Sequence, residues 1–358
     1  MTVGGDLVTR FINTGGAART AAPSTSEPVG AERPGGVVRR LFGREEAGIT
    51  VVLLALVALI GGFHRNFFSH DALLGLIRSA SFVALIAFGM VFLMAMTELD
   101  LSVGSVFGLS ALVSAELMAH GMPPWLALVS GPLAGMGLEA VNAVVANTFG
   151  VPVIIVTLGT LTAFQGLATV ITGSQAVSGL PLHSSFFTVL GGNIVGVPAS
   201  VWVLLVLGAV LTVVFRRTPF GARVRAIGSN QAAARFSGIR VSRTRLQALL
   251  LLGALCGLSG VLALAYYQGA DPSLGGGLEL QVIAATIIGG TAVSGGTGTV
   301  PGALIGALVI VTISSGLVYF SVAPSWAGVV TGATIVVAVA ADGLVRRRRA
   351  ARLARAGS

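Results

Sequence analysis

The chain has 358 residues, 54% of them hydrophobic and only 10% charged, against the roughly 25% charged residues of soluble domains, so it has too little charge to cover a water-exposed surface. Its formal charge of +9 comes from 22 basic and 13 acidic residues; every basic residue is arginine, and the absence of lysine excludes a phosphate-binding P-loop and Schiff-base chemistry in this chain. A mean hydropathy of +0.92, with apolar runs near the ~20 residues that cross a bilayer, places it among polytopic helical membrane proteins, an all-α class.

Residues 1–46, rich in Gly, Ala, Pro and Ser without apolar periodicity, read as a disordered cytoplasmic tail. The first apolar run begins near Ile49, too far from the start for a cleavable signal peptide. Uncharged runs follow at Ala47 to Phe63, Ser79 to Thr97, Val153 to Thr172, Leu246 to Tyr267, Pro301 to Phe320 and Pro324 to Ala341. Val103 to Ala119, Trp125 to Asn147 and Ala199 to Phe215 are span-like too, although the first two contain Glu116 and Glu139. Gln281 to Val293 is short for a crossing and reads as a re-entrant or broken half-helix.

The polar residues inside this stretch have a structural and a functional reading. Asp100 or Ser102 can cap the helix that begins near Val103, or Glu98, Asp100 and Ser102 can line a watery translocation route. Glu139 and Asn142, three residues apart, share a helix face and form either a packed hydrogen-bonded pair or a contact to the solute. Gly131-x-x-x-Gly135, Gly253-x-x-x-Gly257 and Gly302-x-x-x-Gly306 offer small faces for close helix packing. The glycines from Gly289 to Gly298 predict an irregular turn. Cys256, the single cysteine, reads as a small packed hydrophobe. His64, His70, His120 and His183 have no metal-ligand spacing.

Orientation follows from arginine, which is enriched in cytoplasmic loops. Six arginines precede the first span, eight lie between Arg216 and Arg245 without an acidic neighbour, and six lie between Arg346 and Arg355. If all three segments are cytoplasmic, the crossings number about ten, Gln281 to Val293 included, and both termini face the cytoplasm. The permease domain then covers 47–342, with a cytoplasmic loop at 216–245 and a basic tail at 343–358. These arginines flank apolar spans and do not interleave with aromatics, so nucleic acid is not a partner.

Within the basic loop a miniature helix has both ends marked. Ser229 or Asn230 can cap its start, Gln231 to Ser237 is Ala-rich, and Gly238 can take the left-handed position with Ile239 folding back. A helix this short is marginal alone, so it packs against its own membrane domain or docks into a cytoplasmic partner, for which Phe236 and the surrounding arginines are suited.

This loop resembles the ATPase-coupling loop of the ribose-type (monosaccharide) permease subunits of bacterial ABC importers. Four other stretches agree in order: Glu98-Leu-Asp-Leu-Ser-Val-Gly-Ser, Val151-Pro-Val-Ile-Ile-Val-Thr-Leu-Gly-Thr-Leu, Ala270-Asp-Pro-Ser and Ile288-Gly-Gly-Thr-Ala-Val-Ser-Gly-Gly-Thr-Gly. The match covers roughly Phe67 to Asp342. It implies a type II-like permease of about ten spans in the bacterial cytoplasmic membrane, paired with a second permease copy, identical or a paralogue. It also implies a separate ABC ATPase that carries ATP and Mg, and an extracytoplasmic sugar-binding protein. By the same resemblance the coupling residues are Gly228, Asn230, Ala234, Arg235, Phe236 and Gly238, and the chain itself is not an enzyme and holds no cofactor. Glu98 stands where the ribose transporters have glycine, and Glu139 where the family has a small or apolar residue. The solute can therefore also be a nucleoside or another small polar molecule. A proton-coupled secondary transporter using Glu98, Asp100 and Glu139, or a scaffold without transport, are the competing classes.

Overall fold

The computed structural model describes residues 44–336 apart from 327, 331 and 335. All of them belong to one unit that starts at Phe42. The basic tail at 343–358 and almost all of the N-terminal tail lie outside the described residues, as do residues 337–341 at the end of the expected span from Pro324 to Ala341, a segment that begins with a one-turn helix at Pro324–Trp326.

Twelve helices are described: α1 Arg44–Phe63, α2 His70–Met94, α3 Val103–Ala119, α4 Ala127–Phe149, α5 Val153–Thr172, α6 Ser185–Leu190, α7 Ala199–Arg217, α8 Pro219–Ser229, α9 Gln231–Phe236, α10 Val241–Tyr267, α11 Leu278–Ile288 and α12 Val300–Tyr319. A two-residue antiparallel pair, β1 Asn193–Ile194 with β2 Val197–Pro198, is the only sheet among them. Six helices are long and apolar enough to cross a membrane, namely α2, α4 (taken from Pro124), α5, α7, α10 and α12, and the apolar parts of α1, α3 and α11 are shorter. The chain is a multi-pass helical membrane protein. α11 has 11 residues, or about 16 Å of helix, little more than half of the hydrocarbon thickness.

Local chemistry sets the helix ends. Ser69 caps α2 by accepting from the Ala72 amide at 3.4 Å, and Thr299 caps α12 by accepting from Gly302 at 2.8 Å, which leaves Pro301 in the first turn where its missing N–H costs nothing. Pro152 precedes α5 and Gly173, at φ 58°, ends it in the left-handed conformation. After α11 the chain turns through Gly290, Gly295 and Gly296, all at positive φ, which is the irregular glycine turn expected from the sequence.

Helices α2 and α10 form the centre. In each, 78% of the apolar window is buried, against 22% for α5 and 28% for α4 and α7, which leaves the outer helices to present Val, Leu and Ile to lipid. α10 packs on α2, α3 and α4, and α12 on α2, α11 and α1. Polar glue is sparse: Ser259 donates to the Phe82 carbonyl at 2.9 Å and the Ser81 and Ser200 hydroxyls bond at 2.6 Å, joining α2 to α10 and to α7.

Two of the glycine motifs face each other. A Cβ on Gly257 would fall on the backbone of Gly131 and Pro132, and one on Gly135 on the backbone of Gly253, so α4 and α10 cross antiparallel with backbones in contact. No side chain can move aside there. We expect Gly257→Val to abolish monodisperse, folded protein after detergent extraction. Gly137→Val on the same α4, where a Cβ meets nothing within 4 Å, should elute and melt like the wild type.

Candidate functional site

The arginine-rich segment 216–245 is not a loop but two helices and the start of a third. Thr218 accepts from the Gly221 amide at 3.3 Å and Pro219 occupies the first position, so α8 starts directly after α7. It buries Gly221, Val224 and Ile227 against its own bundle. Gly228 has no room for a Cβ, which would strike the Ala95 carbonyl and the Gly296 amide. The Gly296 amide itself donates to the Ala95 carbonyl at 2.9 Å. The end of α8 is thus pressed between the end of α2 and the glycine turn. Sequence reading missed α8 because Gly221 and Gly228 lower its helix propensity; the Thr218-Pro219 start was the signal that could have found it.

Asn230, not Ser229, caps α9, with its Oδ1 accepting from the Ala233 amide at 3.0 Å; the Ser229 hydroxyl instead donates to the Arg225 carbonyl at 2.9 Å. At the far end Gly238 sits at φ 80°. The Ile239 amide donates to the Ala234 carbonyl and the Gly238 amide to the Arg235 carbonyl, both at 3.0 Å, a Schellman closure. Ala234 is the one buried residue of α9, whereas Phe236 is 94% exposed and Arg235 is exposed. α8 therefore anchors the segment and α9 projects from it. Removing the cap with Asn230→Ala should cost about 1 kcal/mol of local stability, read as faster amide exchange across Gln231 to Phe236. Asn230→Asp, which keeps the acceptor, should restore protection.

Between α9 and the bundle lies a cavity of about 710 Å³ lined by Thr97, Glu98, Asn147, Pro152, Arg235 and Arg245 among others. Here Glu98 meets Arg245: its Oε1 accepts from Nε at 2.7 Å and forms an ion pair with Nη2 at 2.5 Å. Arg245 Nη1 donates to Asn147 Oδ1 at 3.0 Å. Glu98 Oε2 is buried without a partner. The pair ties the connector after α2 to the start of α10 and the end of α4.

The other four pathway candidates sit elsewhere. Asp100, Ser102, Glu139 and Asn142 are each 0% exposed and converge on one cluster. Asp100 Oδ1 accepts from the Ser102 amide at 2.6 Å and from the Ser102 hydroxyl at 2.7 Å. Asn142 Nδ2 donates to Ser102 Oγ at 2.9 Å and to Glu139 Oε2 at 3.0 Å, and its Oδ1 accepts from Thr160 at 2.7 Å. Ser102 occupies the N-cap position of α3, yet its side chain makes no capping bond to the first-turn amides, and Asp100 reaches only the Ser102 amide itself. The expected cap is corrected: the two side chains are spent on each other in an Asx-type turn, because α4 and α5 supply the partners that draw them inward.

At the opposite end of the bundle, beside the start of α11, a cavity of about 380 Å³ is lined by Phe82, Phe107, Tyr267, Gln281, Ser314 and Ser315 among others. Aromatic faces with hydroxyls and a carboxamide suit a small polyhydroxy solute. Nothing in the spacing of these residues, spread over five segments, could have grouped them.

Comparison with known proteins sets these features in a family. Residues 72–339 match the family described as "Branched-chain amino acid transport system / permease component". The chain belongs to this permease family. Among relatives of the permease, the ribose import permease protein of Bacillus subtilis strain 168 is 34% identical over 83% of this chain and 92% of the relative. The D-allose transport system permease protein of Escherichia coli K12 is 33% identical over 85% of this chain and 93% of the relative. The L-arabinose ABC transporter permease protein of Azospirillum brasilense is 30% identical over 92% of this chain and 96% of the relative. No solved structure gives a significant match to the permease.

Proposed function

We propose that the permease is the membrane-spanning subunit of an ABC importer that brings a monosaccharide across the bacterial cytoplasmic membrane, powered by an ATPase on a separate chain that docks on α9. The observation that carries this reading is the projecting α9, capped at both ends, buried only at Ala234 and offering Phe236 at 94% exposure. A short helix so little held by its own fold gains from a partner's pocket. The chain has no lysine to serve a P-loop, so ATP and Mg belong on that partner. The end carrying α8 and α9 is the arginine-rich one and is read as cytoplasmic, with both termini, by the positive-inside rule.

Sugar is favoured over the branched-chain amino acids of the family's description because the curated relatives are named for ribose, allose and arabinose. In this reading an extracytoplasmic binding protein delivers the sugar at the opposite end, where the aromatic cavity at Phe82 and Tyr267 receives it. A second permease copy, identical or a paralogue, covers part of the exposed apolar surface. The test is purification of the native complex, identification of the co-purifying ATPase and binding protein, and a screen of monosaccharides, nucleosides and branched-chain amino acids against the latter. Binding of leucine or a nucleoside in place of a sugar would overturn the substrate, and the absence of an ATPase would overturn the class.

A further inference from the structure

The cluster around Asp100 contains two carboxyl groups and no cation. Asp100 and Glu139 are fully buried and their side chains lie within hydrogen-bonding reach of each other. Yet Asp100 Oδ2 and Glu139 Oε1 have no donor. The guanidinium of Arg245, held by Glu98 and Asn147, is not among the groups acting on either carboxyl. From α10 the facing group is Cys256, itself buried, and Gly253 packs close enough that a Cβ there would meet Glu139 Cγ at 2.8 Å. α5 contributes Thr160, which donates to Asn142, and Thr157, which donates to the Ile154 carbonyl and accepts from the Leu101 amide.

Counting donors decides what is missing. Both amide hydrogens of Asn142 are used, one on Ser102 Oγ and one on Glu139 Oε2. The Ser102 hydroxyl and amide are both spent on Asp100 Oδ1. Asp100 Oδ2 and Glu139 Oε1 are then left as two acceptor-only oxygens in one buried cluster, and away from water an unpaired acceptor is costly and two like charges more so. One added hydrogen closes the set. We propose that Asp100 and Glu139 bind a single proton between them, carried on Glu139 Oε1 and donated to Asp100 Oδ2, as a fixed constituent of the folded permease and not as a transported ion. Every carboxyl oxygen of the pair then has a partner, and the remaining negative charge rests on Asp100, where Ser102 supplies two donors. The bound proton pins the connector ahead of α3 to the middle of α4. This proton belongs to the chain alone, whatever the solute proves to be.

The hydrogen count makes an unusual demand on variants. Glu139→Gln keeps a donor facing Asp100 Oδ2 and an acceptor for Asn142, and Asp100→Asn keeps an acceptor for Ser102 and a donor facing Glu139, so each single variant should melt close to the wild type. The double variant Asp100→Asn/Glu139→Gln sets two donors face to face and should melt clearly lower. A structural role without the proton predicts the reverse order, since removing either charge would relieve a repulsion and removing both would relieve it fully. Infrared spectra of the full-length permease in lipid nanodiscs at neutral pH supply a direct reading. The wild type minus Glu139→Gln difference should contain the carbonyl stretch of a protonated carboxylic acid. Absence of that band overturns the proposal, as does thermal stabilisation of the wild type by Na⁺ that Glu139→Gln abolishes, which would assign the site to a metal cation.

Discussion

Replacing Arg235 and Phe236 together by alanine is expected to reduce ATP-driven uptake by roughly 100-fold or more while leaving the amount of permease in the membrane unchanged. Both residues are exposed, Phe236 at 94%, so neither contributes to the packing that α8 provides. Aromatic and arginine residues centred in an interface typically cost about 2 kcal/mol or more each when truncated, and each such loss is close to a 30-fold change in affinity. Because the two are neighbours their effects need not add, which sets the expectation at the lower end of the product. Uptake and ATPase stimulation are measured in proteoliposomes holding the complete transporter, beside a western blot of the membrane fraction. Undiminished uptake would remove α9 from the coupling path. Uptake driven by a pH gradient without any ATPase would instead make the protein a self-powered carrier, and no uptake under either condition would leave a scaffold.

The second large effect is expected at Glu98. Its partner Arg245 is 16% exposed and Glu98 itself 10%, so Glu98→Ala strands a guanidinium that retains Asn147 alone. Breaking a buried pair from one side costs about 3 to 5 kcal/mol. We expect about 3 kcal/mol here, since the pair borders a cavity that lets water reach the arginine. Adding Arg245→Ala to Glu98→Ala should recover part of the loss, because the double variant removes the uncompensated charge along with its partner. Thermal unfolding in nanodiscs of the wild type, Glu98→Ala, Arg245→Ala and the double variant gives the coupling energy. A double variant no more stable than Glu98→Ala would show that the two side chains act independently and that the connector is held by other contacts.

How much of this could be read from the chain varies with the distance over which the cause acts. The bounds Val103 to Ala119 and Val153 to Thr172 were legible in full, since Ser102, Pro152 and Gly173 mark ends within one turn of the helix they delimit. The α9 helix was legible for the same reason, through Asn230 and Gly238. Its neighbour α8 was not, because Gly221 and Gly228 are poor helix formers held helical by close backbone approaches to Phe215, Ala95 and Gly296. Glu98 and Asp100 looked like one group along a single route, yet Thr97 at φ 64° and the turn at Asp100 send them to different places.

By itself the sequence determined the solvent and the class: arginine without lysine, apolar runs of bilayer length, and a short basic helix with both ends marked. These are properties of composition and of residues within a few positions of one another, and they survive without knowledge of the fold. The tertiary structure alone decided that Gly131 and Gly135 meet Gly257 and Gly253, that Glu98 finds Arg245 across 147 positions, and that Ser102 and Asn142 join Asp100 and Glu139 in one buried cluster. Such pairings depend on where helices cross. Close-packed backbones set those crossings, and hydropathy, which averages over a helix face, carries no record of them.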